Sequence, residues 1–112
     1  MNLDTARALS ENLASLLRRE RAALGEFIVA LAGFDERRAW EELGHASLFS
    51  FLHRELRLSR SAAHYRKVAA ELVQQVPAVA EALGNGSLCM TSVVEAARVV
   101  TAENWETVLP RF

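Results

Sequence analysis

Residues 48–68 run Leu48-Phe-Ser-Phe-Leu-His-Arg-Glu-Leu-Arg-Leu-Ser-Arg-Ser-Ala-Ala-His-Tyr-Arg-Lys-Val68. Ser47 stands just ahead of a short apolar-rich helix, and Ser59 opens a second, each placing a side-chain oxygen where a first turn has free N–H groups. Between the two helices lies the connector Arg57-Leu58-Ser59, with Leu58 as an apolar plug. This is the layout of a helix-turn-helix, spanning about residues 47–75. At 100° per residue, Ala62, Tyr65, Val68, Ala69, Leu72, Val73 and Val76 share one face of the second helix and are expected to pack inward. Arg60, His64 and Lys67 share the opposite face, with Ala63 beside them.

Long donors flanked by small residues suit a helix lying in a major groove. The expected DNA-binding set is therefore Arg54, Arg57 and Ser59 against the phosphate backbone, with Arg60, Ser61, His64 and Lys67 facing the groove. Other features support the opposite reading. Every surface helix has a polar face, Glu71 extends this one with a charge that repels phosphate, and Arg57 occupies a turn position where glycine is common.

Working toward the N-terminus, Asp4 is a candidate cap for one long amphipathic helix, closed by Gly33. Leu9, Leu13, Leu16, Leu17, Leu24, Phe27, Ile28 and Leu31 fall in one sector, and Glu20 projects from its middle. Such a helix outreaches a compact domain of this size. The expectation is therefore a homodimer interface involving Leu13, Leu16, Glu20, Leu24 and Phe27, with Glu20 either paired to an arginine or acting as a specificity device at a helix–helix contact.

Working toward the C-terminus, Asp35 reads as the cap of a short second helix stopped at Gly44. Pro77 opens a helix that ends at Gly84-Asn85-Gly86. Thr91 or Ser92 opens another, with Ser92 and Glu95 at capping-box spacing, and Thr101 starts the last. No stretch alternates as a strand does. The fold class is all-α, with six or seven helices: a long amphipathic helix over residues 1–33, then a compact helical domain over residues 34–112 with a central helix-turn-helix.

Apolar residues at 51% and charged residues at 24% of 112 positions describe a folded domain rather than a disordered one. The net charge of −1 argues against coating DNA through bulk charge. The distribution differs: residues 53–67 hold five cations against the single carboxylate of Glu55. One cysteine, Cys89, and a polar, mixed-charge start point to a reducing, cytoplasmic setting, and no apolar run suits a membrane span. Cys89, between Leu88 and Met90, reads as a small core residue, His45 as a helix-end residue, and Trp40 and Trp105 as core anchors. His45, His53, His64 and Cys89 lack metal-ligand spacing, and no catalytic motif, phosphate loop or cofactor signature occurs. The expectation is a binding module without catalysis, cofactor or small-molecule substrate.

The run from Arg37 to Phe112 resembles the helical N-terminal region of bacterial, myxobacterial-type HNH endonucleases. The signposts are Glu42-Leu-Gly44, Ser47-Leu-Phe-Ser-Phe-Leu-His-Arg-Glu-Leu56, Leu58-Ser-Arg-Ser-Ala-Ala-His-Tyr-Arg66, the Pro77 helix, Gly86-Ser-Leu-Cys-Met-Thr-Ser92 and Thr101–Phe112. This chain departs from the family pattern at Lys67, Glu71 and Gln75. The order Leu58-Ser59-x-Ser61, proline helix, Gly86-x-Leu88 is more distantly similar to the DNA-binding domain of ParB-type partition proteins. The resemblance implies a nucleoid-associated module that positions a nuclease lying downstream of this region. The alternative is a protein–protein interaction module that does not touch DNA.

Overall fold

A computed structural model describes residues 1–112. The chain is all-α, with seven α-helices and no strand. α1 runs Leu3–Glu36, α2 Ala39–Glu42, α3 Leu48–Ser50, α4 Arg60–Gln75, α5 Ala78–Gly84, α6 Met90–Ala96 and α7 Trp105–Val108. α3 continues into a π-helical turn over Phe51–Glu55, and α7 into a 3-10 turn over Leu109–Arg111.

α1 starts two residues earlier than Asp4 suggested: Asn2 is the cap, its Oδ1 accepting from Thr5 N at 2.8 Å. Asp4 instead sits in the first turn, where its charge complements the exposed N–H groups. The helix also runs through Gly33 rather than stopping there. What ends it is Arg38, which turns left-handed at φ 53°. Asp35, the expected cap of the next helix, lies in the last turn of α1. Its carboxylate bridges two elements, Oδ1 accepting from Trp40 Nε1 and Oδ2 from Gln74 Nε2, each at 2.9 Å.

The other signals act as the local chemistry dictates. Gly44 closes α2 with φ 85°. Ser47 Oγ accepts from Ser50 N at 3.0 Å, and Ser59 Oγ from Ala62 N at 3.1 Å. Pro77 precedes α5, and Gly86 (φ 84°) turns the chain after it. Two later signals fall elsewhere. α6 begins at Met90 with Cys89 as its cap position, so Ser92 lies inside the helix and forms no capping box. Thr101 and Asn104 hydrogen-bond each other and delay the last helix to Trp105.

The core is one cluster in which Ile28, Leu31 and Ala32 of α1 meet Leu48, Phe51 and Leu52, the inner face of α4, and Val79, Leu83, Val93 and Val100. α1 crosses α5 and α4, and the crossing with α5 is close because of Gly25. A Cβ there would stand 3.1 Å from both the Ala80 carbonyl oxygen and Gly84 Cα. Only the second half of α1 takes part. From Met1 to Ala23 every residue except Ser15 is exposed, so the first half projects as an arm. The arm explains a radius of gyration of 16.4 Å, where a compact chain of this length has about 13 Å. No helix is long and apolar enough to cross a membrane.

Candidate nucleic-acid interface

The segment from Phe51 to Arg60 is built to hold a turn with few residues. The π-helical turn closes with Leu56 N on the Phe51 carbonyl, and Leu58 N reaches back to the Leu52 carbonyl at 3.1 Å. His53 supplies a second tie, Nδ1 donating to the Leu58 carbonyl at 2.8 Å. Leu58 is half-buried and packs on the core. Arg57 adopts φ 61°, the left-handed conformation that glycine takes freely. His45 latches the outer side of the turn, its Nε2 lying 3.1 Å from Glu55 Oε1 and its ring edge-on to Phe51. It is thus a half-buried cross-link rather than a simple helix-end residue.

Around this turn Arg54, Arg57, Ser59, Arg60, Ser61 and His64 are all exposed. The ion pairs of the chain are Arg38–Glu41, His45–Glu55 and Lys67–Glu71, which leaves Arg54, Arg57 and Arg60 free of carboxylate partners. Glu55, the one acidic residue among these cations, is held by His45. Lys67 is not free: its Nζ lies 2.8 Å from Glu71 Oε1. Arg66 lies partly buried along the helix, donating to the Ala62 carbonyl at 3.3 Å.

The inner face of α4 differs from the periodic expectation in its first half. Ala63, expected beside the outward donors, is fully buried, while Tyr65, expected inside, is 37% exposed. The helix packs on α1, α5 and α6, burying Ala63 in its first half and Ala69, Ala70, Leu72 and Val73 in its second, so its buried face widens along its length. The outward face near the turn therefore carries Arg60, Ser61, His64 and Tyr65.

The expected dimer residues divide. Leu13, Leu16 and Glu20 are exposed on the arm, whereas Leu24 and Phe27 are half-buried against the core. Beside them the first half of α4 and the turn form a groove with α1, lined by Glu20, Leu24, Phe27, Leu58 and Arg66. Sequence reasoning missed this groove, and it also missed Gly25. The only signal for Gly25 was a glycine inside a helical pattern, which here marks a close helix crossing.

Cys89 is exposed, not a core residue. Its thiol is held below the ordinary value, first by the Ser92 hydroxyl at 3.2 Å and then by backbone N–H groups of Ser92 and Thr91. Trp40 is buried, and Trp105 is half-buried against the core. No three His, Cys, Asp or Glu side chains converge as metal ligands.

The fold and these surfaces define an all-α domain in which a long first helix packs by its second half against a body of short helices. Residues 7–106 match the family described as Domain of unknown function (DUF222), and the chain belongs to that family. No curated protein and no solved structure matches it.

Proposed function

We propose that this domain binds duplex DNA with little sequence preference and positions a nuclease in the longer proteins that carry it. The observation behind this reading is the group of three exposed arginines, Arg54, Arg57 and Arg60, free of carboxylate partners on a short, tightly tied turn. The short turn leading into α4 suits the helix-turn-helix expected from the sequence, and the first turn of α4 offers N–H groups and the Ser59 and Ser61 hydroxyls to a phosphate. The family context supports the same reading, since the domain commonly stands N-terminal in HNH endonuclease-type proteins. With few phosphate contacts, binding is weak for one copy, about micromolar or weaker at physiological salt, and falls steeply as salt rises.

The test is fluorescence anisotropy of a labelled duplex of about 20 base pairs at low and at physiological salt. The Arg57→Ala/Arg60→Ala double variant is expected to bind more weakly on every sequence, with a salt slope shallower by about two. Absence of binding at low salt overturns the reading.

A second reading, an interaction module without DNA contact, is favoured by the leucines exposed on the arm of α1. It predicts dependence on Leu13 and Leu16 and indifference to salt.

A further inference from the structure

The arm of α1 carries Leu3, Leu9, Leu13, Leu16 and Leu17 at 76, 50, 67, 47 and 42% exposure. These side chains are not scattered. At 100° per residue they continue the stripe that, two turns further on, packs Leu24, Ile28 and Leu31 into the core. A single solvated helix of this length is marginal in water, because helix formation depends on tertiary burial of its apolar face. The arm therefore needs a cover.

We infer that the cover is the arm of a second copy, packed antiparallel with its two-fold axis at Ser15. The register follows from Glu20, the one charge in the middle of the stripe. A parallel, in-register pair sets Glu20 against Glu20 of the other copy, two like charges at the seam. An antiparallel pair centred on Ser15 sets it against Ser10, the one hydroxyl on the inner positions of the arm, which donates to the carboxylate. The same register places Leu13 against Leu17, Ala6 against Leu24 and Leu3 against Phe27. Displacing it by one heptad toward the N-terminus sets Leu3 against Glu20, and displacing it the other way sets Leu17 against Glu20.

The groove fits this arrangement. Its walls, Leu24 and Phe27 on one side with Leu58 and Arg66 on the other, receive Leu3 and Ala6 of the second copy. Pairing residues 3–27 over about 36 Å of helix covers on the order of 800 Å² per copy, the size of a standard interface half. The inference rests on α1 and its groove and stands whether or not the domain binds DNA.

The test uses the full chain with Cys89→Ser, carrying either Leu13→Cys or Leu17→Cys. An equimolar mixture of the two, oxidised mildly, is expected to give the mixed disulfide in preference to either symmetric one. Sedimentation velocity of the unmodified chain is expected to show a dimer, and Leu13→Glu/Leu17→Glu a monomer. The double variant alters only residues outside the core, so the melting of the body is retained. Symmetric Leu13→Cys cross-links in preference to mixed ones overturn the antiparallel register. A chain that stays monomeric up to about 0.1 mM overturns the second copy as occupant.

Discussion

Lys67 and Glu71 stand one turn apart on the outward side of α4 with Nζ and Oε1 separated by 2.8 Å. An exposed pair of this kind contributes little to stability, about 0.3–0.5 kcal/mol on a helix. Its effect on an anion is larger, because the carboxylate both occupies the ammonium and repels phosphate. Glu71→Gln is therefore expected to leave the melting temperature nearly unchanged and to tighten DNA binding, steepening the salt slope by about one. Anisotropy over a salt series checks this, and an unaltered slope would place Lys67 outside the contact surface.

Arg57 holds a left-handed backbone where glycine would sit without strain. Arg57→Gly is expected to raise unfolding free energy by about 1 kcal/mol, since the left-handed conformation costs a side chain roughly that much. The same change removes an unpaired cation and is expected to weaken DNA binding. A gain in stability with a loss of affinity is the outcome expected of a residue kept for contact rather than for folding. Urea unfolding and anisotropy on one preparation separate the two effects.

Two glycines of α1 are expected to respond to alanine with opposite signs. At Gly33 a Cβ meets nothing within 4 Å, so Gly33→Ala raises stability by about 0.5–1 kcal/mol through helix propensity alone. At Gly25 the added Cβ presses on backbone of α5, at 3.1 Å from the Ala80 carbonyl oxygen and Gly84 Cα. Backbone yields less readily than a side-chain tip, so Gly25→Ala is expected to lose about 1 kcal/mol or more net of the propensity gain. Thermal melts of the two variants, side by side, decide it.

These cases show what the sequence could and could not reveal. Ser47, Ser59, Gly44 and Gly86 act through bonds and dihedrals within a few residues, and the structure agrees with each of them. Asp35 and Gly33 carry equally good local signals that tertiary contacts override. Asp35 is drawn to Trp40 and Gln74, the latter on a distant helix, and α1 continues past Gly33 because its far end packs on the core. Helical periodicity gives α4 one inner face, yet three different partners rotate and widen that face, burying Ala63 and exposing Tyr65. The cations around the turn were legible because long charged side chains stay in water. The pairing of Lys67 was less so, since the same spacing reads as repulsion of a ligand or as an ion pair. Gly25 needed α5 beside it before its role could be read.

Asp35 accepts from Trp40 Nε1 and Gln74 Nε2 and so ties the end of α1 to both α2 and α4. Asp35→Ala removes both acceptors and leaves the half-buried indole N–H unpaired, at an expected cost of about 1–3 kcal/mol. Asp35→Asn keeps an oxygen for Trp40, and a flipped Gln74 amide can still meet the new NH₂ group, so its cost is expected to be smaller. Tryptophan fluorescence during urea unfolding reads both the stability and the local environment. Equal losses in the two variants would mean that the charge, not the pair of hydrogen bonds, holds the junction.

The Cys89 thiol is held below its ordinary value, and the Ser92 hydroxyl is the first cause. A pKa lowered by folding means that the folded chain releases this proton more readily than the unfolded one. Any linked stability therefore appears as pH rises through the folded value and is lost below it. For an exposed thiol the clearer readout is reactivity, which follows the thiolate fraction. Alkylation by iodoacetamide is expected to reach half its maximal rate at a lower pH than a cysteine in an unfolded peptide. Ser92→Ala is expected to move that midpoint upward, with Ser92→Thr restoring it because the hydroxyl returns. An alkylation midpoint indifferent to all three residues would assign the thiolate's stabilisation to the backbone N–H groups at the start of α6.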